Sequence, residues 1–421
     1  MILIGLTIII LSQIISYLLL FKKTGDQFNP IVFTFIFIFF PFVLSHAELS
    51  VYQYQDYHPL TYLIFITSAL MLLLLSIFIY FWEVKNVHFV NYLEIRSHLL
   101  GVNIIYFLTI LFCFTYLFEN YLVSGHIISI SQLNIVGDTH LDGVKGFREL
   151  NTTLRVLLPV LNIYMFVSTK KKRYLILSFV SLIIPLSRGS RSTFFNSIII
   201  IIVFLYRKID FKKVFVFGGG ILALVWMGIN LGNFRRSYTT RAYAFEVGIF
   251  DSFYNETFIG NIVSWYYGYY SLSFHNFNSS LLKWMEDPDY YFGLSNLNGL
   301  VAYVFSNYPS QQEFNYAVSS INGAANVPTA YYYYLIDFGV LGILAFDAIF
   351  YAILFTIYYN SINSKYYRLV YCYLLFHILN FVFYSSFYAV YLYPILILMV
   401  LLVKKRVKEN TYEDLRSHDS L

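Results

Sequence analysis

The sequence predicts an all-α integral membrane protein with about eleven transmembrane helices and one large external loop. Hydrophobic residues make up 58% of the 421 residues, whereas charged residues make up only 12%. The apolar residues form long stretches that are separated by short polar connections. Lysine and arginine are divided unequally between alternate connections, which is typical of a polytopic membrane protein.

The apolar stretches form a single membrane domain over the whole chain, 1–421. A helix needs about 20 apolar residues to cross a hydrocarbon core of ~30 Å. The stretches that reach or approach this length lie at 2–21, 30–46, 60–82, 99–118, 151–169, 174–187, 193–206, 214–232, 329–357, 369–385 and 388–403. The last two also fit one bent helix, because only Ser385 and Ser386 interrupt them.

The basic residues predict the orientation of these helices. Every second connection, counted from Lys22, carries an excess of lysine and arginine, 19 of the 28 in the chain. Such connections mark the cytoplasmic face. The basic tail 404–421 belongs to this set, so an odd number of crossings places the N-terminus outside. Lys22 and Lys23 follow the first stretch rather than precede it, which predicts an uncleaved helix instead of a signal peptide.

The external face keeps nine basic residues, and seven of them are arginines. Arginine presents a planar, permanently charged fork that binds phosphate at two points, whereas lysine is a hydrated point charge. The seven are Arg148, Arg155, Arg188, Arg191, Arg235, Arg236 and Arg241. We therefore expect an anionic ligand on the external side.

The segment Ser187 to Ser192, with the sequence Ser-Arg-Gly-Ser-Arg-Ser, joins two unusually short apolar stretches. Each contributes about 14 residues, or ~21 Å of helix, which falls short of the membrane core. We expect the turn to lie below the outer surface, with Arg188 and Arg191 lining a cavity and binding a pyrophosphate. The alternative is that both arginines extend to the lipid headgroups.

The dominant external segment is the loop 233–327, which opens with Arg235, Arg236 and Arg241. These arginines fit the same anionic ligand, or else the phosphates of outer-leaflet lipids. Between 233 and 270 we expect helices that lie along the membrane surface. Glu246 and His275 are the candidate catalytic groups of this loop, although each also fits a surface position.

Two carboxylates fall inside the predicted ninth helix, Asp337 near its start and Asp347 nearer its middle. A carboxylate at membrane depth requires a partner, so each fits either an ion pair with an external arginine or a role in proton transfer. We include Asp337 among the candidate catalytic residues.

No metal and no cofactor is predicted. Asp138, His140 and Asp142 are metal-binding residue types, but no fourth ligand accompanies them. The chain has only two cysteines, no nucleotide-binding motif and cytoplasmic connections that are too short for a nucleotide-binding domain. A basic, aromatic soluble face is also lacking, which argues against a nucleic-acid partner.

The pattern resembles the oligosaccharide repeat-unit polymerases of bacterial O-antigen and capsule assembly, the Wzy type. The resemblance covers most of the chain: ten to twelve helices, the Ser-Arg-Gly-Ser-Arg-Ser turn, a long external loop that opens with arginines, and an Asn-Gly…Thr…Asp-Phe-Gly helix start at 322–339. Some members carry an arginine followed by glycine eleven residues later, and the external segments lack it. The arginine roles are therefore assigned by position.

The resemblance implies a glycosyltransferase of the bacterial cytoplasmic membrane that joins undecaprenyl-pyrophosphate-linked repeat units on the outer face. External arginines would bind the departing pyrophosphate. Membrane lipids, a flippase and a chain-length regulator are the implied partners. Two alternatives remain, a ligase that transfers the glycan to another acceptor and a lipid-linked oligosaccharide flippase. Transporters usually show paired halves, and no internal repeat is visible here.

Overall fold

The computed structural model describes the backbone of eleven parts of the chain. These parts are 2–53, 56–82, 93–95, 99–124, 147–188, 191–208, 226, 247–297, 327, 329–383 and 403–405. Most of these residues are helical, as predicted. One short antiparallel pair of strands joins two distant segments, with Glu94 opposite Lys404.

The helices, numbered in chain order, are α1 (Ile2–Thr24), α2 (Pro30–Ser45), α3 (Pro59–Phe81), α4 (Leu99–Ser124), α5 (Phe147–Thr169), α6 (Lys172–Ile183), α7 (Arg191–Leu205), α8 (Ser252–Glu256), α9 (Phe258–Tyr266), α10 (Leu272–Glu286), α11 (Ala330–Ser361) and α12 (Lys365–Leu379). A 3-10 turn, Ile184–Arg188, extends α6. The strands are β1 (Leu93–Ile95) and β2 (Val403–Lys405).

Five helices of the described part are long and apolar enough to cross a membrane: α1, α3, α11 and the segments Asn103–Leu122 and Leu150–Thr169. They coincide with five of the eleven predicted stretches. The shorter apolar helices Pro30–Ser45 and Thr193–Leu205 coincide with two more. The predicted stretches 214–232 and 388–403 lie almost entirely outside the described residues. The membrane character is thus supported, and the number eleven stays a prediction.

One end of the bundle is held by a buried ion pair between two connections. Arg368 Nη1 lies 2.5 Å from Asp26 Oδ2, and both side chains are buried. The same guanidinium donates to the carbonyl of Val203 from Nε at 3.0 Å and from Nη2 at 2.7 Å, and to that of Tyr206 at 3.1 Å. The ends of α1, α7 and α12 are therefore fixed to one another.

The opposite end is built from the α2–α3 connection and the segment that begins at residue 247. Ser50 Oγ donates to the carbonyl of Val247 at 2.6 Å. Asn278 accepts hydrogen bonds at Oδ1 from His58 N at 2.9 Å and from Thr61 Oγ1 at 2.8 Å. The segments that were predicted to be external thus contact one another.

Two π turns face each other in this region. One, Phe35–Phe39, interrupts α2, and the other, Tyr267–Ser271, joins α9 to α10. The Tyr266 hydroxyl donates to the carbonyl of Ile36 inside the first π turn. A π turn shifts the helical hydrogen-bond pattern, so this hydroxyl supplies a donor where the helix is irregular.

Helix α10 packs inside the protein, although it belongs to the predicted external loop 233–327. It begins just after 233–270, the part of the loop where surface helices are predicted. Phe274 and Phe277 are fully buried, and their rings pack against Phe42, Phe65 and Tyr331. Large aromatic side chains on one face of α10 explain this burial, because covering them removes more apolar surface from water than a surface position would.

We predict that Arg368→Met destabilises the protein by about 3–5 kcal/mol, because Asp26 would remain buried without its partner. The double variant Asp26→Asn with Arg368→Met should lose less, since it leaves no buried charge unpaired. Arg207→Met is the matched control, because Arg207 is exposed and, within the described part, its side chain donates one hydrogen bond, to the Ser361 carbonyl. Thermal unfolding in detergent compares the three. A double variant with a lower Tm than the Arg368→Met single variant would contradict the prediction.

Candidate functional site at a broken helix

Helix α11 is a hairpin of two helical arms rather than one continuous helix. Its backbone breaks at Gly339, where φ is 68° and ψ is −165°. This conformation is accessible essentially only to glycine. We call residues 330–338 the short arm and residues 340–361 the long arm.

Contacts between the arms show that the chain reverses direction. The hydroxyl of Tyr331 lies 2.5 Å from Asp347 Oδ2, and the rings of Tyr334 and Phe346 stack with centroids 3.8 Å apart. In a continuous helix, residues sixteen apart would be separated by ~24 Å. The predicted apolar stretch 329–357 is therefore present, but it forms two arms instead of one continuous helix. The long arm has the length to cross the membrane, and the short arm spans only ~13 Å.

The segment after α10 caps the end of the short arm. The backbone N–H of Tyr291 donates to the carbonyl of Ile336 at 2.9 Å, and that of Phe292 donates to the carbonyl of Asp337 at 3.1 Å. Asn296 Nδ2 donates to the Tyr333 carbonyl at 3.1 Å. The carbonyls that the break at Gly339 releases from the helix are thus paired again.

Asp337, a predicted catalytic residue, belongs to this cap. Its Oδ1 accepts from Ser295 N at 2.9 Å, and its Oδ2 accepts from Asn296 N at 3.1 Å and Asn296 Nδ2 at 2.7 Å. The side chain is fully buried. Both oxygens are occupied by donors that hold the loop in place, so this geometry favours a structural role over the predicted catalytic one.

The start of the short arm meets the end of helix α12. Helix α12 ends at Leu379 instead of continuing to 385 as predicted. The N–H of Ala330 donates to the Phe381 carbonyl at 2.6 Å, just beyond that end. The Oγ1 of Thr329, which is fully buried, has no hydrogen-bond partner among the described residues.

Helix α7 completes this polar region. Asn196 Nδ2 donates to Asn380 Oδ1 at 3.1 Å, and both side chains are buried. Irregular backbone at membrane depth is tolerated only where protein or a water-filled cavity surrounds it. Discontinuous helices of this kind form the substrate and ion sites of many membrane proteins. We call the region formed by Thr329, Asn196 and residues 380–381 the broken-helix site, and it is our candidate functional site.

The structure describes Arg188 and Arg191 by their backbone alone. Arg188 ends the 3-10 turn that extends α6, and Arg191 opens α7. Arg191 lies five residues before Asn196, or about 7.5 Å along the helix axis. The Tyr116 hydroxyl donates to the Pro185 carbonyl at 3.4 Å, which fixes the turn beside α4. Arg191 is therefore close in sequence and in height to the broken-helix site.

His275, a predicted catalytic residue, lies buried on α10. Its ring packs against Tyr57 with centroids 4.4 Å apart, and Nε2 has no hydrogen-bond partner among the described residues. Burial lowers the pKa of His275 to about 4, although a backbone hydrogen bond with Ser45 acts in the opposite direction. A histidine with so low a pKa is a weak general base at neutral pH. The described geometry therefore favours a packing role.

Several predicted residues cannot be placed. Arg235, Arg236, Arg241 and Glu246 lie outside the described residues, as do Asp138, His140 and Asp142. The predicted convergence of the arginines stays a prediction. Within the described part, no group of three or more His, Cys, Asp or Glu side chains is arranged to hold a metal ion.

Sequence reasoning missed the role of Asn196, Asn380 and Thr329. Asn196 and Asn380 stand within or beside apolar stretches, which is a signal that a polar side chain is required there. Gly339 follows Asp337 and Phe338 in the sequence, but nothing there distinguishes a glycine at a chain reversal from one tolerated inside a helix. No protein family model, characterised protein or solved structure matches the chain.

We predict that Gly339→Ala destabilises the hairpin. The backbone at position 339 has a conformation that alanine avoids. In addition, the Cβ of alanine would lie 3.2 Å from the Trp284 ring. The cost should be about 1–3 kcal/mol. Gly5→Ala is the control, since Gly5 lies within regular helix α1 and the nearest atom to its Cβ would be the flexible end of Ile66 at 3.2 Å. Equal Tm values for the Gly339 variant and wild type would contradict the hairpin.

His275 should make the stability sensitive to acid. Because its pKa is about 4 in the folded protein and 6.5 when exposed, the folded state resists protonation. Stability should be complete above pH 6.5 and decline by up to about 3 kcal/mol as the pH falls to 4. His275→Asn should weaken this decline, whereas Glu256→Gln, at an exposed position, should retain it. Thermal unfolding over this pH range measures both; identical profiles for His275→Asn and wild type would oppose the assignment.

Proposed function

We propose that this protein polymerises lipid-pyrophosphate-linked oligosaccharide repeat units into a surface polysaccharide, on the outer face of a bacterial cytoplasmic membrane. The observation that carries the proposal is the position of the Ser-Arg-Gly-Ser-Arg-Ser turn. This turn opens the helix whose Asn196 forms part of the broken-helix site. An arginine pair beside a polar interior fits a diphosphate leaving group that remains attached to membrane lipid.

The contacts between connections support the proposed orientation. The basic-rich connections meet at one end of the bundle, where Gln27 N donates to the Arg207 carbonyl at 2.8 Å and Asp26 pairs with Arg368. Strand β1, which directly precedes Arg96, also pairs with β2, which contains Lys404 and Lys405. We assign this end to the cytoplasm. The end that carries α8, α9 and α10 then faces outward and supplies the walls for a sugar chain.

In the proposed reaction, an acceptor hydroxyl of one repeat unit attacks the anomeric carbon of the other. The bond from that carbon to the pyrophosphate oxygen breaks, and the hydroxyl proton leaves to a base. Arg188 and Arg191, with the arginines of 233–241, stabilise the charge on the departing pyrophosphate. We assign no general base, because the described contacts of His275 and Asp337 fit structural roles.

Transport is a second candidate, because a specific observation favours it. A short helical arm that starts inside the protein, opposite the end of another helix, is typical of secondary transporters. The protein would then move the lipid-linked repeat unit across the membrane rather than extend it. A ligase reaction fits the site as well as polymerisation does, and differs only in the acceptor.

Gene deletion separates these candidates. Loss of a polymerase should leave cells that export single repeat units but form no long chains. Loss of a flippase should abolish the export of single units as well. Loss of a ligase should leave long chains that stay attached to the lipid carrier. Electrophoresis of surface and lipid-linked glycans distinguishes the three, and unchanged glycans would refute all of them.

The purified protein should extend lipid-linked repeat units without ATP, since the donor's pyrophosphate bond supplies the free energy. We expect Arg191→Lys to reduce the rate about 10- to 100-fold, because a point charge cannot bind phosphate at two points. Arg173→Lys is the matched control, since Arg173 lies at the opposite end of the α6–α7 pair beside the Tyr106 and Tyr174 rings. Equal loss in both variants would argue against a pyrophosphate site at Arg191.

A further inference from the structure

Three buried oxygens form a triangle at the centre of the protein. The hydroxyl of Tyr331 on the short arm lies 2.5 Å from Asp347 Oδ2 on the long arm. Ser68 Oγ on α3 contacts the same carboxyl oxygen and lies 2.8 Å from the Tyr331 hydroxyl. Asp347 is only 1% exposed, and Ser68 and Tyr331 are fully buried. The triangle thus joins α3 to both arms of α11.

Two corners of the triangle, Ser68 and Asp347, lie far from the ends of their helices, and Tyr331 lies in the first turn of the short arm. Ser68 is nine residues from the start of α3, or about 14 Å, and Asp347 is eight residues from Gly339, or about 12 Å. An ionised carboxylate at this depth requires a cationic partner. Among the residues that the structure describes, no basic side chain forms an ion pair with Asp347.

Few titratable groups face Asp347. Tyr331 faces it from the short arm and Tyr351 from the next turn of the long arm, whereas α3 brings the Ser68 hydroxyl. Helix α12 contributes His377, whose ring packs on Phe346 and Phe350, side chains on either side of Asp347 in sequence. Among the described residues, none of the groups in contact with the carboxyl is a cation.

Counting hydrogens shows what the triangle requires. Three close oxygen–oxygen contacts need three bridging hydrogens, and the two hydroxyls of Ser68 and Tyr331 supply only two. If Asp347 were ionised, both hydroxyls would donate to it, and the contact between the two hydroxyl oxygens would have no hydrogen. A protonated Asp347 closes the ring, with each oxygen donating once and accepting once.

We propose that Asp347 is an intramembrane proton-binding site, whose bound proton ties the short arm of α11 to α3 and the long arm. This inference does not rest on the proposed function, since it concerns the state of one carboxyl group. When the proton leaves, the carboxylate remains buried with no cation from the described part of the chain, and the start of the short arm loses a hydrogen bond. The position of Tyr331, two residues from Thr329 of the broken-helix site, therefore depends on the proton.

Asp337 provides an internal contrast on the same hairpin. Each of its three contacts receives its hydrogen from the partner, two from backbone N–H groups and one from the Asn296 amide. No additional proton is needed there. The two buried carboxyls of α11, ten residues apart, are therefore assigned different protonation states by the same count.

Infrared spectroscopy of the full-length protein at neutral pH tests the proposal. The wild type should show the carbonyl stretch of a hydrogen-bonded carboxylic acid, which shifts on transfer to heavy water. Asp347→Asn should remove this band, and Asp337→Asn, the matched control, should retain it. In Tyr331→Phe the band should persist at higher frequency, because the acid has lost a partner. This second variant keeps the test informative if Asp347→Asn fails to fold.

Two results would overturn the proposal. One is a band of equal intensity in wild type, Asp347→Asn and Tyr331→Phe, which would assign the acid to another residue. The other is a band in sodium-free buffer that disappears when sodium chloride is added, but not when choline chloride is added. That outcome would replace the proton with a bound sodium ion.

Discussion

The structure depends on one constraint: within a membrane, every backbone group released by a broken helix must find a partner inside the protein. The reversal at Gly339 releases the carbonyls at the end of the short arm, and the segment 291–296 supplies their donors. At the other end of the arm, the first N–H turns to the Phe381 carbonyl. The broken-helix site exists because these partners come from segments that are distant in sequence.

Tyrosine hydroxyls supply partners for backbone carbonyls in other parts of the protein. The high tyrosine content, 41 residues, fits either an A/T-rich genome or sugar stacking when considered from composition alone. The structure adds a third reason, because buried tyrosines place their rings in the core and their hydroxyls on backbone carbonyls. Tyr266 donates to Ile36, Tyr371 to Phe28 at 2.9 Å and Tyr373 to Leu157 at 2.5 Å. Phenylalanine fills the same volume but cannot donate.

The sequence predicted the parts of the fold that depend on local hydropathy. Five long apolar helices lie where the apolar stretches are, and the short helices that flank Arg188 and Arg191 coincide with the two short predicted stretches. It failed where tertiary contacts decide. The hairpin at Gly339 has the hydropathy of one continuous helix, and α10 has the polarity of an external helix although Phe274 and Phe277 bury it. The hydrophobic periodicity of neither segment indicates which part of the chain it packs against.

The candidate site shows the same division, and Asp337 and Asp347 make the reason clear. Both are carboxylates in one apolar stretch, so hydropathy gives them the same two interpretations. Their roles differ because Asp337 faces backbone N–H groups of another segment, whereas Asp347 faces hydroxyls that also contact each other. The backbone N–H groups around Asp337 can only donate, so the carboxyl accepts from them and fixes the loop. The hydroxyls around Asp347 can donate or accept, so the carboxyl can itself hold a proton and donate to one of them. The chemistry of a buried acid in this protein is therefore decided by its partners, and these are set by the reversal at Gly339.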